Sequence, residues 1–343
     1  MDVPELRRRV TEVLRDHLGP HVDVTAVEPL AGGACQENVR IDVTLRDAGT
    51  ETSRRFVMRS DARGSLLGSL DRAREYEVIR TAAARGVRTP RAQWLTKDLV
   101  RPGSHAYFLD WVPGDAIGRR VLRSPELADA RTRLVDELAD VAARIHAVTP
   151  SEHTTLLDAA RVLHPEYDPA AHAVRELRAM ISDLPEPRPA LELALRWLAA
   201  NTPADRTTCL VHGDFRVGNF MVAPTGLTAV LDWEFARWGS PYEDIAWVCV
   251  RDWRFGQIDR PVGGFAQRAA WYAAYERASG RTVVPAHVHY WEVMGNVRWA
   301  VGSLQQTERY LAGEQDLELL AIGRRAVEME WEALRLIDRG VRS

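Results

Sequence analysis

The chain has 343 residues, 46% of them hydrophobic and 27% charged, with a formal net charge of −3 at pH 7. This is the composition of an ordinary globular protein that is long enough for two hydrophobic cores. The near-neutral charge gives no broad attraction for nucleic acid or anionic lipid, so neither nucleic acids nor membranes are expected as partners.

Cysteine usage and the amino terminus favour a cytoplasmic protein. The three cysteines are far apart and form no pattern typical of a disulfide framework or a zinc site. The first residues lack the apolar stretch of a secretion signal, and no run approaches the roughly 18 apolar residues of a membrane span. The sequence gives no indication of an oligomeric state.

The amino-terminal third predicts a small antiparallel sheet with helices beside it. Residues 4–18 carry apolar side chains at helical spacing. A second helix is expected over residues 71–85, because the stretch begins with an acidic cap and Gly86 follows it. Alternating, β-branched stretches predict five strands, three before this helix and two after it. They read VDVTAVEPL, NVRIDVTL, RRFVMRS, TPRAQWL and HAYFLDWV.

After residue 112 the sequence becomes mainly helical. Ser124 and Pro125 have the residue types of an N-cap and a first helical position, and they predict the start of a long helix. Long helices are expected again from residue 241 onwards. Shorter helices are predicted between them, over 152–160, 168–182 and 190–200. We therefore predict two domains, residues 1–112 and 113–343, with a pocket where they meet.

The strand signals of the second domain surround one motif, LVHGDFRVGN at residues 210–219, which is followed by AVLDWEF. FMVA and TAVL predict a hairpin around a PTGL turn. If residue 220 pairs with 231, Asn219 and Asp232 face each other, with Cβ atoms about 5 Å apart. Asp214 is expected to project into the same space.

Oxygen ligands without a nearby His or Cys favour Mg²⁺ over zinc. The spacing therefore predicts that Asn219 and Asp232 share one magnesium ion. The alternative is that Asp214 and Asn219 only cap the loop backbone, as short polar residues often do. The spacing alone leaves both interpretations open.

HGDFRVGN with LDWE resembles the catalytic segment of the aminoglycoside phosphotransferase and choline kinase superfamily, whose members are related to protein kinases. LAGGACQENVRIDV is similar to the nucleotide-covering loop of that family, and YFLDWVPG to its interlobe hinge. The tail resembles the branch that includes phosphotransferase domains fused to some acyl-CoA dehydrogenases. The resemblance covers essentially the whole chain. It implies a protein-kinase-like α+β fold with a small antiparallel-sheet N-lobe and a large, mainly helical C-lobe.

The resemblance also implies roles in the second domain. Asp214 is the implied catalytic base, which accepts the proton of the substrate hydroxyl. Asn219 and Asp232 are the implied magnesium ligands. Arg216 is a candidate for contacting the γ-phosphate, and the alternative is an ion pair with a neighbouring carboxylate.

Three further polar residues surround this motif. His212 is expected to hold the loop by hydrogen bonds and not to carry protons. Asp244, in YEDIAW, is expected to brace the loop from a helix. Glu234 is assigned either to the surroundings of the metal or to a structural role.

In the first domain the resemblance implies nucleotide-binding residues. Gly32 and Gly33 lie where the backbone would approach the nucleotide closely. The family usually carries a lysine as its phosphate-binding cation, whereas here Arg59 takes that position and Glu75 is its implied partner. The one lysine, Lys97, falls in a predicted loop. The alternative is that Arg59 and Glu75 are surface charges.

The hinge is expected to recognise the base of the nucleotide through its backbone. By the protein-kinase pattern, the carbonyl of Asp110 and the amide of Val112 are the implied contacts. The sequence does not decide between ATP and GTP.

The resulting hypothesis is a Mg²⁺-dependent small-molecule kinase that transfers the γ-phosphoryl group of ATP or GTP to a hydroxyl of a metabolite. Two alternatives remain open: a catalytically inactive nucleotide-binding module and a true aminoglycoside phosphotransferase. An aminoglycoside enzyme is expected to offer an acidic pocket to a polycation, which a net charge of −3 does not indicate. We therefore favour a hydroxylated metabolite, such as a hydroxyacyl thioester, as the acceptor.

Overall fold

The computed structural model divides into two compact units. The first comprises Met1–Ala84 with Thr89–Val112, and the second comprises Arg85–Arg88 with Pro113–Ser343. The residues that the structure describes are 3–30, 37–47, 50–61, 68–314 and 316–341.

The first unit is built around a five-stranded sheet in which every paired strand is antiparallel to its neighbour. The strand order is β1-β2-β3-β5-β4. The strands are β1 (Val22–Pro29), β2 (Glu37–Asp47), β3 (Thr50–Ser60), β4 (Ala92–Lys97) and β5 (His105–Asp110), and the helices are α1 (Val3–Leu18) and α2 (Arg72–Ala84).

Helix α1 supplies one side of the core of this unit. Its buried residues Leu6, Val10 and Leu14 recur every four positions and therefore share one helical face. They pack with alternating residues of the strands, such as Val39, Ile41 and Val43 of β2, which point to one side of the sheet. The alternation in the sequence thus fixes which face of the sheet is buried.

The second unit is mainly helical, with short strands inserted between α7 and α8. Its helices are α3 (Gly118–Arg123), α4 (Ala128–His146), α5 (Ala159–Val162), α6 (Pro169–Ser182), α7 (Pro189–Ala200), α8 (Tyr242–Trp247), α9 (Arg268–Ser279), α10 (Pro285–Leu311), α11 (Leu317–Gly323) and α12 (Arg325–Arg339). Its strands are β6 (Cys209–Val211), β7 (Phe220–Ala223), β8 (Gly226–Val230) and β9 (Arg237–Gly239).

The strands of the second unit form two separate antiparallel pairs. Strand β6 pairs with β9, and β7 pairs with β8. The predicted hairpin register is wrong, because Phe220 pairs with Val230 and not with residue 231, and Ala223 pairs with Gly226 and not with residue 228. The backbone of Asn219 consequently faces Leu231, whose N–H donates to the Asn219 carbonyl at 2.8 Å, and Asp232 lies one residue further on.

Three local predictions are also wrong. Pro125 begins a short 3-10 turn, Pro125–Leu127, and the long helix starts only at Ala128, without a side-chain cap from Ser124. The helix predicted over 152–160 is reduced to the single turn of α5. Lys97 is not in a loop, since it is the last residue of β4.

No helix among the described residues combines the length and the apolar character needed to cross a bilayer.

Candidate active site

The HGD segment leaves β6 and is held by a carboxylate on α8. The backbone N–H groups of His212 and Gly213 donate to Oδ2 and Oδ1 of Asp244 at 2.7 and 2.9 Å. Asp244 is buried and also contacts Nε2 of His146 at 3.2 Å. Burial acts to raise the pKa of the Asp244 carboxyl, but its interactions with His146 and His212 outweigh burial, so the pKa lies below its ordinary value. The predicted bracing role of Asp244 is confirmed.

His212 ties this loop to the end of β8. Burial lowers the pKa of His212, so the ring is neutral at pH 7. Its Nε2–H donates to the carbonyl of Leu231 at 3.0 Å, and Nδ1 accepts the N–H of Asp214 at 3.2 Å. Both ring nitrogens are therefore used for structure, and the prediction of a scaffold histidine is confirmed.

Gly213 is required by the close approach of two backbone segments. Its φ of +78° lies in the left-handed region. A Cβ at this position would collide with the carbonyl oxygen of Phe235. The glycine of the HGD motif thus allows the loop to lie against the segment that follows Asp232.

The carboxylate of Asp214 is fixed by three donors. Its Oδ1 accepts hydrogen bonds from Nε of Arg216 at 2.9 Å and from Nε1 of Trp247 at 2.8 Å. Its Oδ2 accepts one from Nδ2 of Asn219 at 2.6 Å. A carboxylate offers about four acceptor positions, so one position on Oδ2 remains for a further donor.

Arg216 forms an ion pair with a neighbouring carboxylate, which is the alternative to a phosphate contact that the sequence left open. Its guanidinium forms an ion pair with Asp214 itself, and it lies 4.3 Å from the ring centroid of Trp253. Stacking and hydrogen bonding together hold Arg216 beside the carboxylate. A contact with a γ-phosphate is not tested by this geometry and stays a prediction.

Asn219 is oriented in a way that suits a metal ligand. Its amide Nδ2 donates to both the backbone oxygen and Oδ2 of Asp214, at 2.9 and 2.6 Å, which fixes the orientation of the amide. Among the described residues no donor contacts its Oδ1, which therefore remains available as an oxygen ligand.

Asp232 has an unusual backbone conformation for a non-glycine residue. Its φ is +69°, in the left-handed region, and it is half-buried directly after the β7–β8 hairpin. Such strain persists only where the surrounding structure imposes it, and it is frequent at functional sites. The conformation determines the direction in which the Asp232 side chain leaves the backbone.

The oxygen ligands available at Asn219 and Asp232 suit a hard cation. No group of three or more His, Cys, Asp or Glu side chains that could hold a metal occurs in the part of the chain that the structure describes. A metal at Asn219 and Asp232 would thus have one amide and one carboxylate from the protein. This is the sparse set that Mg²⁺ accepts when water and phosphate oxygens complete its octahedron.

In the first unit, Arg59 and Glu75 are a buried ion pair. Nη2 of Arg59 lies 2.9 Å from Oε1 of Glu75, and the two residues are 7% and 0% exposed. The alternative that they are surface charges is therefore wrong. A second cation, Arg72, contacts the other carboxylate oxygen of Glu75.

The hinge residues leave backbone groups available. Asp110 donates its N–H to the carbonyl of Arg91 at 3.1 Å, but the return bond from Arg91 to the Asp110 carbonyl is absent. The N–H of Trp111 donates to Arg55, whereas the N–H of Val112 contacts no acceptor among the described residues. Gly32 and Gly33 lie outside the described residues.

The model of the APH family, described as a phosphotransferase enzyme family, matches residues 26–281. The chain belongs to this family. The match includes the candidate active site and most of the first unit.

Among curated proteins, this phosphotransferase-family chain is similar to acyl-CoA dehydrogenase family member 10 of Mus musculus. The identity is 30% over 206 residues, which cover 57% of this chain and 18% of the mouse protein. The chain thus matches less than a fifth of the length of that relative.

Three solved structures show the fold. A putative aminoglycoside phosphotransferase of Ralstonia eutropha has a TM-score of 0.70 and 23% identity, with 98% of this chain and 99% of that chain covered. A choline kinase of Streptococcus pneumoniae has a TM-score of 0.58 and 15% identity, with 98% and 99% covered. The GDP and kanamycin complex of an APH(2″) enzyme has a TM-score of 0.60 and 15% identity, with 95% and 98% covered.

These likenesses confirm the predicted α+β, protein-kinase-like fold and the resemblance to aminoglycoside phosphotransferases and choline kinases. The family and its kinase neighbours support phosphotransferase activity in general.

The sequence did not predict two contacts: the hydrogen bond from Trp247 to Asp214 and the ion pair between Arg72 and Glu75. Trp247 follows Asp244 by three positions on α8, and residues three apart share one helical face. That spacing was the available signal. Arg72 likewise precedes Glu75 by three positions on α2.

Proposed function

We propose that the chain transfers the γ-phosphoryl group of ATP or GTP to a hydroxyl group of a small metabolite. The observation that carries the proposal is the setting of Asp214, a carboxylate held by three donors with one acceptor position left on Oδ2. The family match supports the reaction class.

Asp214 is the proposed base. As the acceptor oxygen attacks the γ-phosphorus, Oδ2 takes the hydroxyl proton, the bond from the γ-phosphorus to the bridging oxygen breaks, and ADP or GDP leaves. Phosphoryl transfer asks little covalent chemistry of the protein, so fixed positions account for most of the rate. The donors Arg216, Trp247 and Asn219 would supply that fixed position by preventing rotation of the carboxylate.

Asn219 and Asp232 are the proposed holders of Mg²⁺. The free Oδ1 of Asn219 and the strained backbone of Asp232 support this assignment. When bound, the ion would offset the negative charge of the nucleotide phosphates. Asn219 would also link the metal to the base, since its amide nitrogen contacts Asp214.

The first unit is proposed to bind the nucleotide. Arg59, fixed by Glu75, would contact phosphate oxygens through its planar guanidinium. The Asp110 carbonyl and the Val112 amide, for which the described part of the chain shows no hydrogen-bond partner at those atoms, would contact the base. Gly32 and Gly33 remain proposals from the sequence, as does the cytoplasmic location.

The proposal is tested by incubating the protein with Mg²⁺ and γ-labelled ATP or GTP in the presence of a pooled library of hydroxyl compounds, followed by mass spectrometry of the products. Asp214→Ala should abolish transfer while keeping the thermal stabilisation by Mg-nucleotide. Asp140→Ala, an exposed position on α4, is the matched control. Nucleotide binding without transfer to any acceptor would instead indicate an inactive module, and transfer to kanamycin alone an aminoglycoside enzyme.

A further inference from the structure

Helix α10 places a cation beside the candidate base. The guanidinium carbon of Arg298 lies 5.6 Å from the ring centroid of Trp247 and 5.7 Å from that of Phe235. Trp247 is the residue whose indole N–H contacts Asp214. Phe235 follows Asp232 by three positions. Arg298 and Asp214 thus contact the same indole side chain.

The backbone of α10 explains this placement. A Cβ at Gly295 would lie 3.2 Å from both Trp247 and Val250, so the glycine allows α10 to approach α8 closely. Arg298 is three positions further along α10 and hence on the same face of the helix. The close approach brings its side chain over the indole.

No carboxylate of the described residues forms an ion pair with Arg298, although those of Glu243, Asp214 and Glu176 are near enough to favour its charge. Among the described residues it makes no hydrogen bond and no ion pair, and its contacts are the two aromatic rings. Arg298 is half-buried, and each of its nitrogens keeps some exposed surface. Burial and the nearby Arg237 lower the pKa of Arg298 to about 10, which leaves it charged at pH 7.

The neighbouring charges are already matched. Arg216 is paired with Asp214, and Arg237 with Glu243. Arg298 therefore contributes, near the base, a positive charge that makes no ion pair with any residue that the structure describes. One planar guanidinium suits a monoanion that accepts two parallel hydrogen bonds, which is the geometry of a carboxylate.

We propose that Arg298 binds the carboxylate of the phosphoryl acceptor, so that the enzyme acts on hydroxy acids in preference to neutral or cationic alcohols. This inference rests on the proposed kinase function, because the acceptor hydroxyl must reach Asp214. It differs from the expectation for kanamycin or choline, whose ammonium groups would be repelled by an unpaired guanidinium.

The test uses matched acceptors that differ only in the terminal group. The hydroxy acids are 3-hydroxypropanoate and 6-hydroxyhexanoate, the neutral counterparts are 1,3-propanediol and 1,6-hexanediol, and the cationic ones are 3-amino-1-propanol and 6-amino-1-hexanol. Transfer is measured with both nucleotides, and binding is measured separately by thermal shift. The proteins are the wild type, Arg298→Gln, Arg298→Lys and the surface control Arg277→Gln, which removes an exposed arginine of α9.

We expect the wild type to prefer hydroxy acids, and Arg298→Gln to lose about 10- to 100-fold in kcat/KM for them, the range of a charge-assisted hydrogen bond. Its kcat/KM for diols should change little. Arg298→Lys should retain part of the preference, since it keeps the charge and loses the planar fork. Arg277→Gln should match the wild type.

Two outcomes would overturn the inference: equal use of diols or amino alcohols by the wild type, and an equal loss for all acceptors in Arg298→Gln, which would indicate a packing role. If Arg298→Gln does not fold, the inference is tested by whether the wild type prefers hydroxy acids over diols and amino alcohols and whether Arg298→Lys retains part of that preference. Failure of the kinase proposal is distinguishable, because hydroxy acids would then stabilise the wild type, and not Arg298→Gln, without receiving phosphate.

Discussion

The indole nitrogen of Trp247 donates a hydrogen bond of 2.8 Å to Oδ1 of Asp214. Trp247 ends α8, the helix whose Asp244 holds the backbone of the HGD segment. One short helix therefore fixes both the backbone of the loop and the side chain of the proposed base. A change in α8 should affect catalysis even where it contacts no substrate.

Replacing Trp247 by Phe should lower kcat without altering nucleotide binding. The substitution keeps an aromatic ring but removes one of the three donors to the carboxylate. A hydrogen bond to a charged group contributes about 1.5–3 kcal/mol, so we expect a decrease of about 10-fold or more in kcat. Steady-state kinetics and the thermal shift with Mg-nucleotide would measure the two effects.

Trp238→Phe is the control for this substitution. It also removes an indole hydrogen bond, of 3.0 Å to the carbonyl of Leu156, but not one to Asp214. It should lower stability and leave kcat intact. An equal kcat for Trp247→Phe and the wild type would show that this hydrogen bond does not position the base.

Replacing Arg59 by Met should weaken nucleotide binding and lower the free energy of unfolding. Removing one partner of a buried ion pair costs about 3–5 kcal/mol, and we expect the lower part of that range because Arg72 still contacts Glu75. Arg59→Lys keeps the charge and should retain activity with a changed KM for the nucleotide. Nucleotide titrations and chemical denaturation measure both effects.

Arg74→Met serves as the control for Arg59, since Arg74 lies on the same helix as Glu75 and is largely exposed. It should alter neither nucleotide binding nor stability. Undiminished nucleotide affinity in Arg59→Met would remove Arg59 from the proposed phosphate site.

Asp232→Asn and Asn219→Ala should each raise the Mg²⁺ concentration needed for half-maximal transfer, by more than about 10-fold. A direct readout is the Mg²⁺ dependence of nucleotide binding by calorimetry, and chelation of the metal should abolish transfer without unfolding the protein. Asp136→Asn, at an exposed site on α4, should behave as the wild type. An unchanged Mg²⁺ dependence in both site variants would contradict the proposed metal ligands.

Asp244→Asn should destabilise the fold by about 2–4 kcal/mol at pH 7, because an amide cannot accept hydrogen bonds from both backbone N–H groups at two oxygens. The pKa of Asp244 is lower in the folded than in the unfolded state. Its stabilising contribution is therefore complete above the ordinary pKa of an aspartate, near 4, and is lost as the pH falls below it.

Chemical denaturation between about pH 6 and pH 3 checks this prediction, since the difference in stability between the wild type and Asp244→Asn should shrink as the pH falls through the range in which Asp244 takes up its proton. A difference that stays constant over this range would mean that the charge of Asp244 is not what stabilises the loop.

The order of strands and helices was readable from the sequence because hydrophobic periodicity is local. The helices at Val3–Leu18 and Arg72–Ala84 lie within one residue of their predicted bounds. The register of the β7–β8 hairpin was not readable. The strands are joined by a two-residue turn at 224–225 and not by the four residues of PTGL, because Ala223 pairs with Gly226. The irregularity between Met221 and Val222 then changes the register by one further residue.

The sequence by itself determined which residues form the HGD and LDWE motifs, because the number of residues between them is fixed by the covalent chain. Only the tertiary structure decided that Trp247 contacts Asp214, that Arg216 lies over the ring of Trp253, and that Arg298 makes no ion pair with a described residue. These relationships join segments far apart in the chain, and hydrogen bonds and unpaired charges exist only once packing has fixed which side chains meet.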